Sequence, residues 1–292
     1  MSLIAFLGAI ETGLIFALVG LGVFISFRVL NFPDLTVDGS LPLGAAAAAS
    51  LIAGGVDPYA ATAVAMLAGA GAGLVTAWLN QALRVLHLLA SILTMIALYS
   101  INLRVMGKPN QPLLGARTLF ADIEPLGLGP YGALAAVALV AATVVLLLAK
   151  FLTSEIGLAM RATGANPRMA RAQGIRTEFQ VYSGMALSNA LTAIAGALFA
   201  QTNGFADVTQ GVGTIVIGLA AVIIGETLFR FGGIMVALVA CVLGSVLYRV
   251  AIQFALSVDF LGIKASDLNL VTAVLVALAL ILPRLRRGGF SA

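Results

Sequence analysis

Residues 131–150 read YGALAAVALVAATVVLLLAK, an apolar run whose first charged side chain is Lys150 at its end. A membrane-spanning helix needs about 20 consecutive, predominantly apolar residues to cross the hydrocarbon core of a bilayer. The run meets that length without a charge inside it. It therefore predicts a membrane-spanning helix.

The composition extends this prediction to the whole chain. Of the 292 residues, 61% are hydrophobic and only 10% are charged, and the mean hydropathy is +1.09. A soluble domain could not hide that much apolar surface from water, whereas a bilayer is itself an apolar solvent. The 32 glycines agree, because membrane helices use small residues to approach each other closely. We expect one transmembrane domain over residues 1–292 with an all-α, polytopic helical bundle.

About nine spans are predicted, with eight or ten also compatible with the sequence. The first apolar run has no cationic start and no clear cleavage site, so we interpret it as a helix and not as a signal peptide. The segment 37–54 is rich in alanine and follows Pro33, so a broken or re-entrant element is an alternative there. The predicted spans are 7–27, 37–54, 58–80, 86–104, 131–150, 179–201, 212–229, 233–255 and 268–283.

The basic residues set the orientation. Five of them lie within 150–176 and three more in the tail after 283, and positive charge is typical of cytoplasmic segments. We therefore expect both segments and the C-terminus to be cytoplasmic, with the N-terminus and residues 105–130 outside. The net charge of +4 is explained in this way, without a nucleic-acid partner. The expected location is a bacterial inner membrane.

The segment 151–178 contains residues that are typical of helix starts and helix ends. Gly164 suits the end of one helical stretch, and Asn166 suits the N-cap of the next, with Pro167 at its first position. Gly174 suits the following stop. The spacing predicts a helix of about two turns over 167–173. Such a helix could dock into another protein, or it could be a connector whose arginines face lipid headgroups.

The same segment resembles the coupling loop of permeases in the branched-chain amino acid and ribose importer superfamily, with its pattern G-x-x-x-R-A-x-G-x-N-P-x-x-A-x-x-x-G-I. Two further stretches are similar to that superfamily: NFPDLTVDGS at 31–40 and IGLAAVIIG at 217–225. The wording of 31–40 resembles a sub-branch linked to aromatic amino acid uptake. Glu226 departs from the second glycine that the superfamily more often has. The matching coupling-loop positions are Gly157, Arg161, Ala162, Gly164, Asn166, Pro167, Ala170, Gly174 and Ile175.

The resemblance implies the permease subunit of a type II ATP-binding cassette importer. Such permeases form a dimer, bind two cytoplasmic ATPase subunits and receive a small solute from an external binding protein. The sequence has no G-x-x-x-x-G-K-[ST] phosphate loop, so ATP and Mg²⁺ are expected on the ATPase subunits and no cofactor on this chain. The chain is thus not expected to be an enzyme. From this resemblance, the residues expected to couple to the ATPase are Gly157, Arg161, Ala162, Gly164, Asn166, Pro167, Arg168, Met169, Ala170, Arg171 and Gly174.

Polar residues near the predicted spans are candidates for the substrate pathway, because ionisable groups inside a membrane are costly and often functional. Helix capping is an equally simple role for Asp and Ser at these positions. Glu226 and Arg230 are four residues apart, which favours a pair on one helix face. The pathway candidates are Asn31, Asp34, Thr36, Asp38, Ser40, Ser188 and Asn189.

A short internal echo is present. Asp34-Leu35-Thr36 with Gly44 is echoed by Asp207-Val208-Thr209 with Gly218, and duplicated halves are common in transporters.

Two other functions stay open. An ion-coupled secondary transporter would need carboxylates inside the membrane, but this hypothesis leaves the loop around Asn166 unexplained. A membrane enzyme would need a catalytic constellation, and none stands out. With one histidine and one cysteine, no metal site is expected.

Overall fold

The chain is almost entirely helical. A computed structural model describes residues 3–121, 130–229 and 232–256 and the single positions 274 and 277. A π-helical extension, Phe24–Val29, continues the first helix, and a short 3₁₀ helix, Val208–Gly211, precedes the ninth. The elements are α1 Leu3–Val23, α2 Val37–Ala53, α3 Pro58–Gln81, α4 His87–Met106, β1 Asn110–Pro112, α5 Pro130–Thr153, α6 Glu155–Ala165, α7 Pro167–Ala172, α8 Thr177–Asn203, β2 Phe205–Asp207, α9 Thr214–Leu228 and α10 Ile234–Leu256.

Within the described residues, seven helices are long and apolar enough to cross a membrane. The all-α membrane bundle is confirmed, but the predicted count of about nine spans is higher than this. The predicted span 268–283 lies outside the described residues. The predicted span 37–54 is α2, whose 17 residues fall short of a full crossing.

The alternative of a broken element describes α2 better than a simple span. A re-entrant path does not, because Ile52 near the end of α2 packs with Leu113 and Ala206 beside β1 and β2, whereas the end of α1 packs on α6. Residues 31–35 form no helix, and they lead the chain from the end of α1 back into the bundle. Thr36 and Ser40, at the start of α2, are fully buried. Hydropathy alone does not distinguish this arrangement from a span, because the buried segment is as apolar as a lipid-facing one.

An antiparallel pair of helices, α1 and α8, forms the centre of the bundle. The Ser188 hydroxyl donates to the Gly22 carbonyl at 2.8 Å, and the Phe16 and Phe199 rings pack edge to face with centroids 5.4 Å apart. A side chain at Gly22 would meet the backbone of α8, so glycine allows the two backbones to approach. The order of these contacts along the two helices fixes their opposite directions.

The remaining helices repeat one arrangement around this pair. Helices α2 and α3 pack on α8, and helices α9 and α10 pack on α1. Gly44 of α2 abuts Ala193 of α8, and Gly218 of α9 abuts Val23 of α1. Because α1 and α8 are antiparallel, the two halves have inverted orientations. The sequence echo between 34–44 and 207–218 thus corresponds to equivalent elements.

Two opposite ends of the bundle are distinguished by what they carry. The connector face holds the connector, residues 154–176, with α6 and α7, and it also holds the end of α1, since Gly164 packs against Val29. The ribbon face holds the antiparallel β1–β2 pair, in which Asn110 lies opposite Asp207 and Pro112 opposite Phe205. Helix α1 starts at the ribbon face, as predicted for an N-terminus opposite the basic connector.

Candidate functional site

The connector contains the short helix that the sequence predicts. Helix α7 begins at Pro167, and the Asn166 side-chain oxygen accepts hydrogen bonds from the backbone N–H groups of Arg168 and Met169, both at 3.1 Å. The prediction of a helix over 167–173 is confirmed to within one residue. The predicted helix end at Gly164 is also confirmed to within one residue, because α6 ends at Ala165. Gly164 in addition packs closely against the backbone of Val29.

Helix α7 is joined to α8 at its C-terminal end. Ala170 is buried, and its carbonyl accepts from the N–H of Ile175 at 3.1 Å. Gly174 has φ +83°, a conformation that favours glycine after a helix end. The Arg171 guanidinium Nε donates to the hydroxyl of Thr177, the first residue of α8, at 2.9 Å. This side-chain contact and the short link between the two helices join α7 to the start of α8.

The predicted coupling residues divide into two groups by exposure. Gly157 and Ala170 are buried, and Gly157 abuts the backbone of Phe151 and Leu152, so these residues position the connector. The others, apart from the half-buried Gly164, are exposed, and the Met169 side chain is 58% exposed. The exposed members lie in or near α7 along the sequence. They are Arg161, Ala162, Asn166, Pro167, Arg168, Met169, Arg171 and Gly174.

Four of the predicted pathway residues meet in one buried hydrogen-bonded cluster. One carboxylate oxygen of Asp34 accepts from the backbone N–H of Thr36 at 2.9 Å, and the other accepts from the Asn189 amide at 2.8 Å. Ser40 donates to the Asn189 oxygen at 2.7 Å, so α8 is joined to both ends of this turn. Thr36 and Thr76 share a hydrogen bond of 2.7 Å. We name Asp34, Thr36, Ser40, Thr76 and Asn189 the polar cluster.

The other three pathway candidates lie apart from the polar cluster. Asp38 reaches the start of α9, where its two carboxylate oxygens accept from the N–H groups of Ile215 at 2.7 Å and Gly213 at 3.3 Å. Ser188 is buried and joins α8 to α1. Asn31 is exposed, with φ +53°, and shares no contact with the cluster. Four of the seven predicted pathway residues thus belong to the polar cluster, Asp38 and Ser188 join helices elsewhere, and Asn31 is exposed.

Sequence reasoning missed several partners. Thr76 was not singled out, although it is a polar residue in an otherwise apolar helix. Glu226 pairs with Arg28 at the end of α1, at the connector face, while Arg230 lies outside the described residues. The Arg249 guanidinium lies 3.9 Å from the centroid of the Phe16 ring. These partners are separated by up to 233 positions in the sequence, so only the fold shows them.

The ribbon face carries its own carboxylate. Asp207 accepts from the Thr209 N–H at 2.8 Å and from the Asn110 amide at 3.2 Å. Burial alone would raise the pKa of Asp207, but the hydrogen bonds from Thr209 and Asn110 outweigh it and lower the pKa below the usual value. Asp207 is therefore a charged cap on the segment that leads into α9. Within the described residues, no group of three His, Cys, Asp or Glu side chains could hold a metal ion.

Known proteins resemble this chain over nearly its whole length. A family model described as "Branched-chain amino acid transport system / permease component" matches residues 5–283. A tyrosine transport system permease protein of Clostridioides difficile (strain R20291) is 40% identical over 264 residues, which cover 90% of this chain and 86% of that protein. An uncharacterized protein of Rickettsia prowazekii (strain Madrid E) is 32% identical over 277 residues, which cover 93% and 95%. PsaBC from Streptococcus pneumoniae, solved in complex with a Fab, shares the fold with a TM-score of 0.50 at 14% identity, over 94% of this chain and 89% of that one.

Proposed function

The chain belongs to the family of branched-chain amino acid transport system permease components, and from this membership we propose that it is the membrane subunit of an ATP-driven amino acid importer. As a family member it is a multi-pass membrane permease component and not itself an enzyme. The proposal adds the energy source, the partners and the substrate.

The geometry of the connector supports ATP hydrolysis by a partner subunit as the energy source. A six-residue helix that is capped by Asn166, exposed at Met169 and tied to α8 through Arg171 is suited to sit in a groove of another protein. A short helix without such ties would be unstable in water. Because α7 is bonded to the start of α8 through Arg171 and Thr177, force applied to α7 by an ATPase subunit would move α8, and α8 carries Asn189 of the polar cluster.

The charge distribution supports a cytoplasmic connector. Arg161, Arg168, Arg171 and Arg176 are exposed there, and basic residues favour the cytoplasmic side of a bacterial inner membrane. The ribbon face, with Asp57 and Asp207, would then lie outside and receive solute from an external binding protein. The same rule places the basic tail at 284–287 and the C-terminus in the cytoplasm.

The number of connectors supports a dimer. One chain supplies one α7, whereas an importer of this type uses two ATPase subunits, so a second copy of the permease supplies the other. ATP and Mg²⁺ would be bound by the ATPase subunits. The substrate proposed is an amino acid, with tyrosine the first choice, because a relative that is 40% identical is named a tyrosine transport permease.

The test is transport by the assembled system in proteoliposomes. We expect tyrosine uptake to require the ATPase subunits, ATP and the binding protein together. Arg161→Glu and Met169→Glu should each uncouple ATP hydrolysis from uptake, because both side chains are exposed on the connector. Pro167→Glu should act in the same way. Ala170→Glu is less informative, since Ala170 is buried and the change would disturb packing.

Arg84→Glu is the matched control for these variants. It makes the same charge reversal at an exposed residue in the turn between α3 and α4, outside residues 154–176. Uptake and hydrolysis should both stay at the wild-type level. Uptake by the permease alone, driven by an ion gradient, would show that the chain is a secondary transporter instead.

A further inference from the structure

The start of α9 is an unusual helix terminus for a membrane protein. The chain enters the bundle from β2 through the 3₁₀ helix Val208–Gly211, and α9 begins at Thr214 after Gly213, which has φ +82°. Gly211 packs directly on the backbone carbonyl of Asp38. The N-terminus of α9 therefore lies inside the protein, against the first turn of α2 from the other half.

One carboxylate occupies this terminus. Asp38 accepts from the Ile215 N–H at 2.7 Å and from the Gly213 N–H at 3.3 Å, and these are amide groups that the helix itself leaves unpaired. No ion pair joins Asp38 to a cation within the described residues. A carboxylate inside a membrane protein is costly without a counter-charge, so this arrangement indicates a place for one.

Two further side chains at the same terminus lack partners. Thr214, the first residue of α9, is 1% exposed, and its hydroxyl oxygen has no hydrogen-bond partner. Gln210, one turn earlier, has a buried side-chain oxygen that also has none. Buried polar atoms are nearly always satisfied, so two unsatisfied oxygens in the segment whose N–H groups bind Asp38 point to a missing donor. An ammonium group provides three N–H donors and a positive charge.

The helix terminus supplies the complementary chemistry. Helix N-termini carry partial positive charge and unpaired N–H groups, and they bind anions. In transporters built from inverted halves, the N-termini of interrupted helices receive anionic groups of the substrate. The Asp38 carboxylate already demonstrates that a carboxylate fits against Gly213 and Ile215.

We propose that Asp38 and the start of α9 form a binding site for the ammonium and carboxylate groups of an α-amino acid. The ammonium binds Asp38 with the oxygens of Thr214 and Gln210, and the carboxylate binds the N–H groups of Gly213 and Ile215. Asp38 holds those N–H groups itself when no amino acid is bound. The inference rests on the proposed function for its substrate class, and it assigns the site within the chain.

The exchange conserves charge and hydrogen bonds. The incoming carboxylate replaces Asp38 at the amide groups, and Asp38 gains the ammonium as a counter-ion. Binding therefore releases the contact between α2 of one half and α9 of the other. The site lies beside the polar cluster, because Ser40 is two residues beyond Asp38 and bonds to Asn189.

The experiment measures equilibrium binding to the full-length permease in lipid nanodiscs. The probes are L-tyrosine, tyramine, which lacks the carboxylate, and 3-(4-hydroxyphenyl)propionate, which lacks the amine. Asp38→Asn should weaken binding of tyrosine and tyramine by at least about tenfold, because it removes the partner of the ammonium. It should not lower the affinity for the propionate and should raise it, because the carboxylate of this probe no longer competes with the Asp38 carboxylate for the N–H groups of Gly213 and Ile215. A residue with a merely structural role would lower all three affinities alike.

A second pair of variants avoids dependence on the folding of Asp38→Asn. Thr214→Val removes the hydroxyl at constant volume and should weaken tyramine binding, whereas Thr214→Ser should retain it. Asp57→Asn, a change at the N-cap of α3, is the matched control and should alter nothing. Equal loss of all three probes in Asp38→Asn, or no tyrosine binding by the wild-type protein, would overturn the site. The proposed function is tested separately, by ATP-dependent uptake in proteoliposomes, so the two proposals can fail independently.

Discussion

At the scale of single residues, the buried carboxylate of Asp34 explains why α2 holds its place. Asp34 is fully buried, and no ion pair within the described residues compensates it. Its stabilisation comes from hydrogen bonds donated by Thr36 and Asn189. Asn189 also accepts from Ser40, so one amide side chain joins the non-helical segment 31–35, α2 and α8. This is a structural role for residues that sequence reasoning assigned to the pathway.

The bonds that Asn189 makes with Asp34 and with Ser40 should differ in energy. Asn189→Leu leaves one oxygen of the buried Asp34 carboxylate without its donor, and we expect it to lower the free energy of unfolding by about 1–3 kcal/mol. Ser40→Ala removes only a neutral hydroxyl, and membrane hydrogen bonds of that kind average roughly 0.6 kcal/mol. Denaturant titration of both variants in mixed micelles measures the difference. Equal losses would mean that Asp34 does not depend on Asn189.

At the scale of elements, the sequence predicted best what local chemistry determines. Helix α7 was predictable because Asn166, Pro167 and Gly174 act within a few residues of where they stand. The start of α2 was predicted only as one of two alternatives, a span or a broken or re-entrant element, because hydropathy does not distinguish a buried half-length helix from a lipid-facing one. The span at α9 was predicted, but the contact of its start with α2 was not. Their starts depend on Asp38 and Gly213, which are 175 residues apart. No window of sequence contains both.

The packing of α3 on α8 offers a prediction with an internal control. A side chain at Gly73 would collide with the Met185 backbone of α8, whereas the space around Gly71 is open. Gly73→Ala should therefore destabilise the protein by about 1–3 kcal/mol. Gly71→Ala should be neutral or stabilising by up to about 1 kcal/mol, since alanine favours the helix. Thermal unfolding of the two variants in the same detergent measures the difference in stability. A similar loss of stability in both variants would disprove this packing.

At the scale of the whole molecule, the chain consists of two inverted halves around α1 and α8. The sequence held only a short echo of this, Asp-x-Thr followed by a glycine, and both copies form the same turn, in which the carboxylate accepts from the N–H two residues on. Besides the helix packing and the bonds of Asn189, polar contacts join the halves at three depths. Asn110 and Asp207 join them at the ribbon face, Asp38 and α9 inside the bundle, and Arg28 and Glu226 at the connector face. Movement of one half against the other must change at least one of these contacts.

The contact at the connector face is the one most easily reversed without disturbing the core. Arg28 and Glu226 are half-exposed, and exposed pairs contribute about 0.2–1 kcal/mol. Glu226→Arg should cost this amount and add repulsion with Arg28, while the double variant Arg28→Glu with Glu226→Arg should restore most of the loss. A double-mutant cycle of unfolding free energies gives the coupling energy directly. A coupling energy near zero would show that the halves are not joined by this pair, and the connector face would then be held by close packing such as that of Gly164 on Val29 and of Gly184 on Leu30.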